Sequence, residues 1–330
     1  MTSDPIEAIC RKIRASRSIA ITSHLRPDGD SICTSLALFF ILKSLGKSVV
    51  VVNKDKTPFP INLLSDNKYI RVGQIPARKY DCIILLECAD VSRSGQLNLD
   101  GYYQINIDHH YSNYFYGDIN WVNPRAAAVG EMAYVLAERL KMKWTPRIAN
   151  HLYSAIVSDT GSFQFSNTTA EALHASSLLI SRGANPITVS ERLFNNYAPE
   201  KVRLLGQVLT TLKLNDKGNI AVISMFRRDL APFDHNEVDT EDITTLARSI
   251  KNVEVVLFFK EMEAKNTFRV SIRSKGKAHA AAIAEQFGGG GHVHAAGFTA
   301  MGDYKRLARE IPAKVEQLLR AGSGKSRRAR

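Results

Sequence analysis

The sequence lacks any long apolar run. No stretch approaches the roughly 20 consecutive apolar residues that a membrane-spanning helix requires. The first 18 residues, MTSDPIEAICRKIRASRS, also lack the apolar centre of a signal peptide. We therefore expect a cytoplasmic protein with no membrane partner.

Cysteine is scarce and carries no metal-binding spacing. The chain has four cysteines and no CxxC pair. Three of the four lie within apolar segments, which indicates reduced core residues rather than disulfides or zinc ligands. Neither a disulfide framework nor a structural zinc is expected.

Basic residues exceed acidic ones, with a formal net charge of +12 at pH 7 over 330 residues. This excess favours acidic partners such as nucleotides or nucleic acid, although the charge is spread along the chain. The length suggests two domains. The hydrophobic fraction of 45% gives each half enough apolar surface for a core.

Short apolar runs alternate with helical patterns in the first half of the sequence. Such alternation predicts an α/β fold with a parallel sheet covered on both faces, in which ligands bind outside the carboxyl ends of the strands. The predicted strands are 18–22, 47–53, 82–87 and 103–107, and the predicted helices are 31–46, 126–141 and 146–158.

The pattern changes after about residue 185. We expect a first domain over 1–185, a helical linker over 186–212, a second domain over 213–320 and a basic tail over 321–330. The second domain begins with a hairpin that turns at Asp216, Lys217 and Gly218.

Polar clusters of one chemical kind follow several of these apolar segments. Carboxylates and imidazoles gathered without thiolates suit Mn²⁺ or Mg²⁺ better than a structural zinc. These residues are more numerous than one ion can bind as ligands. Two ions about 3.5–4 Å apart would bind a phosphoryl group between them and supply a hydroxide nucleophile. The clustered residues are His24, Asp28, Asp30, Glu87, Asp90, Asp108, His109, His110 and Asp159.

The chain resembles the DHH phosphoesterase superfamily along nearly its whole length. Four segments match its motifs in order, SHLRPDGDSICTSLAL, ECAD, IDHHYSN and SDTGSFQFSNTT, and FGGGGHVHAAGF at 287–298 is similar to the signature of the accompanying DHHA1 domain. The resemblance implies a parallel-sheet DHH domain followed by a smaller α/β DHHA1 domain, with the active site in the cleft between them.

The family resemblance also implies roles for individual residues. Asp108 would orient a neighbouring ligand, and His110 would face the phosphate as a donor. The cofactor implied is a pair of divalent ions, with Mn²⁺ preferred and Mg²⁺ or Co²⁺ as alternatives. The implied metal ligands are His24, Asp28, Asp30, His109 and Asp159, together with a carboxylate from the second motif.

The second motif departs from the family pattern. The family usually carries Asp directly at the strand end, where this chain has Glu87, while Asp90 follows three residues later. The strand register and the downstream Gly95 favour Glu87 as the bridging ligand. Asp90 stays the alternative.

In the second domain, the glycine run offers backbone N–H groups that can cradle phosphate oxygens at close approach. Arg273 lies on a predicted strand, and its guanidinium group can donate two parallel hydrogen bonds to a phosphate. Read with the DHHA1 resemblance, the substrate-binding residues expected here are Arg273, Gly289, Gly290, Gly291 and His292.

Within the superfamily, the chain is most similar to the NrnA-type branch. This resemblance implies hydrolysis of short oligoribonucleotides to 5′-mononucleotides, with 3′-phosphoadenosine 5′-phosphate and linear dinucleotides as further substrates. The partners expected are short single-stranded RNA or nucleotides, and a homodimer is left open. The alternatives are a cyclic-dinucleotide phosphodiesterase and a non-catalytic nucleotide or RNA binder.

Overall fold

The computed structural model describes residues 4–64, 66–77, 79–230, 241–291 and 293–326. The chain divides into two compact units, Met1–Asn196 and Tyr197–Arg330. Among the described residues, no helix combines the length and the apolar character that crossing a membrane would require. All four cysteines are buried free thiols, as the sequence predicted.

The first unit contains a parallel sheet, which confirms the predicted fold class. In the described residues this sheet has six strands in the order β3-β2-β1-β4-β5-β6, and every neighbouring pair is parallel. The strands are β1 (Ser18–Ser23), β2 (Ser48–Asn53), β3 (Ile70–Val72), β4 (Cys82–Leu86), β5 (Gln104–Asp108) and β6 (Ile119–Val122). The short outer strands β3 and β6 were not predicted.

The central strands are apolar along their length because both faces of the sheet are covered. The helices of this unit are α1 (Pro5–Ala15), α2 (Gly29–Ser44), α3 (Val129–Leu140), α4 (Pro146–Asp159), α5 (Ala170–Ser181) and α6 (Pro186–Phe194). Helix α2 is buried through most of its length and packs against α4.

Gly29 allows the first turn of α2 to touch the last turn of α4. A Cβ atom at Gly29 would lie 1.9 Å from the Oγ of Ser158. Because no side chain fits between the two turns, Asp28 and Asp30 are held near Asp159.

The second unit has a mixed sheet, with strands in the order β11-β12-β10-β9-β8-β7. Among the described strands of this second sheet, β8 and β9 are the one parallel pair. The strands are β7 (Lys213–Leu214), β8 (Ile220–Met225), β9 (Val255–Glu261), β10 (Thr267–Ser274), β11 (Gly290–Gly291) and β12 (Ala295–Met301). The helices are α7 (Pro199–Leu209), α8 (Glu241–Arg248), α9 (Ala280–Glu285) and α10 (Tyr304–Ser326).

The predicted hairpin at the start of this unit is present, with Gly218 at a positive φ of 66° between β7 and β8. The division between the units falls inside the predicted linker, because α6 packs on α4 and α7 packs on β8 and α8. The last helix is longer than predicted. It continues to Ser326, into the segment that was expected to be a tail.

Candidate metal centre

The predicted metal ligands gather where the strand order of the first sheet reverses. Strands β1 and β4 are adjacent at this point, and the chains that leave them diverge. His24 follows β1 and Glu87 follows β4, while His109 follows β5 on the next strand. A crevice forms at such a reversal in an open parallel sheet, which explains why residues far apart in sequence meet here.

Two overlapping groups of ligand atoms occupy this crevice. His24, Asp28 and Glu87 form one group, and Asp30, Glu87 and His109 form the other, with ligand atoms inside each group within 4.8 Å of one another. The Nε2 of His24 lies 3.7 Å from Asp28 Oδ2 and 3.7 Å from Glu87 Oε2. Glu87 belongs to both groups and can therefore contribute to two centres.

Asp159 joins the second group from the end of α4. Its Oδ2 lies 3.9 Å from the Nε2 of His109. The structure thus brings together all six residues that the sequence proposed around two ions.

The backbone fixes the orientation of both imidazoles. The Nδ1 of His24 lies 2.8 Å from the carbonyl oxygen of Leu25, and the Nδ1 of His109 lies 3.1 Å from that of Ala126. A carbonyl oxygen only accepts, so Nδ1 is the donor in each ring. In the neutral ring, Nε2 then presents its lone pair to the carboxylates, as in a metal-binding histidine.

Helix starts hold the two aspartates of the first motif. Asp28 caps α2, and its side chain accepts from the backbone N–H of Ser31 at 3.0 Å. Asp30 is buried and accepts from the N–H of Val129 at 2.5 Å and of Gly130 at 2.9 Å, both at the start of α3. The negative carboxylate is thereby fixed against the positive end of a second helix.

The raised pKa values of Glu87 and Asp159 indicate that the crowded carboxylates lack enough positive charge around them. Burial raises the pKa of Glu87 well above its ordinary value, and the charges of Asp28 and Asp30 raise it further. Burial and the charge of Asp30 raise the pKa of Asp159 to about 7. Burial lowers the pKa of His24, but Asp28 more than offsets this, so that it lies above the ordinary value.

These residues fit a pair of divalent cations. The Oε1 of Glu87 is buried and has no hydrogen-bond partner among the described residues. Such an atom is costly unless a cation or another donor satisfies it. The donors are carboxylates and imidazoles, which suit hard or borderline divalent ions.

The structure distinguishes the two candidate metal ligands of the second motif, Glu87 and Asp90. Glu87 is 2% exposed, and its carboxylate belongs to both ligand groups. Its backbone has a positive φ of 55°. Asp90 instead caps the short 3₁₀ turn Val91–Ser94 and accepts from the N–H of Ser92 at 2.8 Å. Within the described residues, Asp90 belongs to neither ligand group.

Asp108 is fully buried and holds His110 in place. Its Oδ1 lies 2.6 Å from the Nδ1 of His110, and its Oδ2 accepts from the Nδ2 of Asn113 at 2.6 Å. Burial pushes the pKa of Asp108 up, but the hydrogen bonds from His110 and Asn113 outweigh it, so the pKa lies below the ordinary value. Asp108 is therefore an ionised acceptor that orients His110.

Sequence reasoning missed two asparagines that support this crevice. Asn113 bridges Asp108 and the carbonyl oxygen of Cys88. Asn167 donates to the backbone oxygen of Asp159 at 3.1 Å and to its Oδ2 at 3.3 Å. Both asparagines lie inside segments that match family motifs, Asn113 in IDHHYSN and Asn167 in SDTGSFQFSNTT. Their position in these motifs was the sequence signal that could have identified them.

The predicted substrate-binding residues lie in the second unit. Arg273 is on β10, opposite Ala295 of β12. Gly290 and Gly291 form the edge strand β11 and pair with Gly297 and Ala296 of β12. The glycine run thus forms a sheet edge rather than a strand interior.

Gly289 precedes β11, where an added Cβ would lie 2.3 Å from the carbonyl oxygen of Gly297. His292, the last of the predicted substrate-binding residues, lies outside the described residues.

Comparison with known proteins identifies both units. Residues 18–156 match the family model for the N-terminal domain of the DHH family, and residues 217–321 match that for the DHHA1 domain. The second match begins within the predicted hairpin and ends inside α10.

The chain is similar over most of its length to proteins of known activity. It is 35% identical to the bifunctional oligoribonuclease and PAP phosphatase NrnA of Thermus thermophilus, over 92% of this chain and 91% of the relative. It is 29% identical to the protein of the same name from Bacillus subtilis, over 88% and 91%. Among solved structures, an exopolyphosphatase-related protein of Bacteroides fragilis matches with a TM-score of 0.87 at 25% identity, covering 97% of each chain.

Proposed function

Since this chain belongs to the DHH family and carries a DHHA1 domain, we propose that it hydrolyses short oligoribonucleotides to 5′-mononucleotides. We propose 3′-phosphoadenosine 5′-phosphate and linear dinucleotides as further substrates. The enzyme class is that of a phosphoesterase. The similarity to relatives named as oligoribonucleases and PAP phosphatases supports the choice of substrates.

The sharing of Glu87 between the two ligand groups is the observation that carries this proposal. A carboxylate common to two groups is the arrangement that two neighbouring cations need for a bridge. His24, Asp28 and Glu87 would hold one cation and Asp30, Glu87 and His109 the other, and Asp159, beside His109, would supply a further carboxylate. Mn²⁺ is the proposed ion.

When bound, the two cations would neutralise charge on the phosphoryl group and lower the pKa of water. The chain's own contribution is to fix the donors that surround them. The carbonyl oxygens of Leu25 and Ala126 fix the rings of His24 and His109, and two amides of α3 fix Asp30. Little reorganisation is then required during the reaction.

His110 is proposed as the donor to a phosphate oxygen. Asp108 accepts from its Nδ1, which directs the opposite edge of the ring, with Nε2, toward the phosphate in our assignment. In the second unit, Arg273 and the backbone of Gly289, Gly290 and Gly291 are proposed to bind the nucleotide.

The test is an Mn²⁺-supplemented hydrolysis assay over a ladder from dinucleotide to decanucleotide, with 3′-phosphoadenosine 5′-phosphate alongside. We expect 5′-mononucleotides from the shortest strands and release of phosphate from the bisphosphate. The matched control is Asp159→Asn, which keeps the size of the side chain but removes its charge. Equal and negligible turnover in both proteins would instead favour a nucleotide-binding protein without activity.

A cyclic dinucleotide assayed in parallel separates the remaining alternative. Consumption of the linear form with sparing of the cyclic form is expected. Consumption of the cyclic form alone would contradict the proposed substrate class.

A further inference from the structure

Three large aromatic side chains are exposed to solvent in the segment that follows the proposed phosphate donor, His110. Tyr111 is 87% exposed, Tyr114 75% and Phe115 63%. All three belong to the loop that follows His110, and the Cα atoms of His110 and Tyr111 are about 3.8 Å apart because they are consecutive. We call these three side chains the aromatic loop.

The aromatic loop is built on the framework of the metal centre. Asn113, at its middle, donates to the buried carboxylate of Asp108 and accepts from the backbone N–H of Phe115 at 2.8 Å. The N–H of Tyr114 donates to the carbonyl oxygen of Ala89 at 2.9 Å, next to the second motif. The backbone beneath the rings is therefore held by the same groups that hold the candidate ligands.

The exposed rings do little for the stability of this unit. Side chains this exposed remove little apolar surface from water, so they contribute little to the hydrophobic free energy of folding. Phe115 also has a positive φ of 53°, an uncommon and costly conformation for a bulky residue. Strain and exposure together, next to a reaction centre, indicate a ligand contact.

We propose that the aromatic loop stacks against nucleobases of the substrate and makes the enzyme prefer base-bearing strands; this inference rests on the proposed function. Unpaired bases are recognised by stacking on aromatic side chains, and each stack is worth about 1–3 kcal/mol. Because every base has a π face, the preference would be for bases in general and not for a sequence. Because Tyr111 follows the proposed phosphate donor directly, we expect the rings to meet the bases that flank the cleaved bond.

The experiment measures binding separately from cleavage. The Mn²⁺-loaded enzyme is titrated with a linear dinucleotide whose bridging ester oxygen is replaced by methylene, and with the same analogue lacking both bases. Wild type should bind the complete analogue at least about tenfold more tightly than the abasic one, since one stack alone is worth that much. Tyr114→Ala, and separately Tyr111→Ala and Phe115→Ala, should weaken the complete analogue and leave the abasic one nearly unchanged.

Conservative variants provide the matched controls. Tyr111→Phe and Tyr114→Phe keep the rings and should keep the tenfold preference. Thermal unfolding should be the same in the alanine variants as in wild type, since the rings are exposed. Equal weakening of both analogues, or no weakening of either, would overturn the proposal.

A second copy of this chain is the competing occupant of the aromatic loop. If Tyr114→Ala shifts the mass measured by sedimentation while the base preference stays, the rings are a self-association surface and the proposal is wrong. Cleavage of unmodified dinucleotide is measured in the same preparations. Base-dependent binding without cleavage would keep the aromatic loop as proposed and overturn the proposed hydrolysis instead.

Discussion

The Oε2 of Glu87 lies 3.7 Å from the Nε2 of His24, although 62 residues of chain separate the two positions. The cause is the parallel pairing of β1 and β4, in which Ser23 stands opposite Leu86. The residue after each strand therefore faces the same crevice. The positive φ of Glu87 marks a sharp turn of the backbone at this point.

Substitution of Glu87 should remove most of the activity, whereas substitution of Asp90 should change it little. We expect Glu87→Gln to lower kcat/KM by more than about 100-fold, since even residues that only support metal ligands typically cost 10–100-fold. Asp90→Asn should stay within a few-fold of wild type, because Asp90 caps a turn and belongs to neither ligand group. Hydrolysis of a dinucleotide at saturating Mn²⁺ measures both.

Glu87→Asp is the informative third variant, because the family's usual residue is Asp. Glu87→Asp keeps the negative charge but shortens the side chain by one methylene group, whereas Glu87→Gln keeps the length and loses the charge. We expect Glu87→Asp to retain more activity than Glu87→Gln, because a cation binds a carboxylate more strongly than an amide. An Asp90→Asn protein that loses activity while Glu87→Gln keeps it would remove Glu87 from its assigned role.

The sequence predicts the central strands and the ligand types, but it does not predict how the ligands divide between ions. His24, Glu87 and His109 are each placed by an apolar strand whose end can be read from the chain. The supporting groups arise from tertiary packing, as when the amides at Val129 and Gly130 meet Asp30 from about 100 residues away. The edge strand Ile70–Val72 was missed because it is short and largely exposed, so it carries no apolar pattern.

Binding of Mn²⁺ should stabilise the first unit. Asp28, Asp30, Glu87 and Asp159 crowd one crevice, and a cation bound only by the folded protein raises its stability by mass action. At 100 times the dissociation constant we expect a gain of about 2.7 kcal/mol at 25 °C. Thermal unfolding with Mn²⁺ and with a chelator measures it, and Glu87→Gln should lose most of the gain. An identical melting temperature under both conditions would contradict the assigned ligands.

Asn113→Ala should impair activity without unfolding the protein. The variant removes the hydrogen bond to Asp108 Oδ2, so that Asp108 orients His110 less strictly. We expect kcat to fall about 10–100-fold, as for other residues that support a metal site. Because the aromatic loop also depends on Asn113, the base preference should fall in the same variant. An unchanged kcat would show that Asp108 orients His110 without the hydrogen bond from Asn113.

The hydrogen bond between Asp66 and His151 should make stability depend on pH, at a position remote in sequence from the ligand groups. Both side chains are about 6% exposed, with the Nε2 of His151 2.9 Å from Asp66 Oδ2. The hydrogen bond from His151 is the largest cause of the lowered pKa of Asp66. A carboxyl whose pKa is lower in the folded state stabilises it above the unfolded value, near 3.9, and this contribution is lost as the pH falls through the folded value.

We therefore expect Asp66→Ala to cost about 2 kcal/mol of unfolding free energy at pH 7, as for a hydrogen bond to a charged group. The difference from wild type should shrink as the pH is lowered below about 4 and Asp66 becomes protonated in both states. Urea unfolding over this range measures the effect. The exposed Asp100, changed to Ala, is the control and should show a small difference at every pH. A difference for Asp66→Ala that grows on acidification would have the wrong sign for this pair.

Alanine at two consecutive glycines should separate a structural requirement from a ligand requirement. At Gly289 the new Cβ would lie 2.3 Å from the backbone oxygen of Gly297, so Gly289→Ala must displace β12 or the loop before it. We expect a loss of about 2 kcal/mol of stability from this overpacking. Among the described residues, apart from Gly290 and its two neighbours in the chain, no atom lies within 4 Å of a Cβ at Gly290, so Gly290→Ala should leave the melting temperature nearly unchanged.

If the backbone of Gly290 approaches the nucleotide as proposed, the added methyl group should obstruct the ligand instead. We expect KM to rise about tenfold, equivalent to about 1.4 kcal/mol, with little change in kcat, because the metal ligands belong to another unit. The affinity of the methylene-bridged dinucleotide should fall by the same factor. A Gly290→Ala enzyme with wild-type KM and affinity would mean that the glycine run serves close packing on β12, at Gly289 and Gly291, rather than ligand binding.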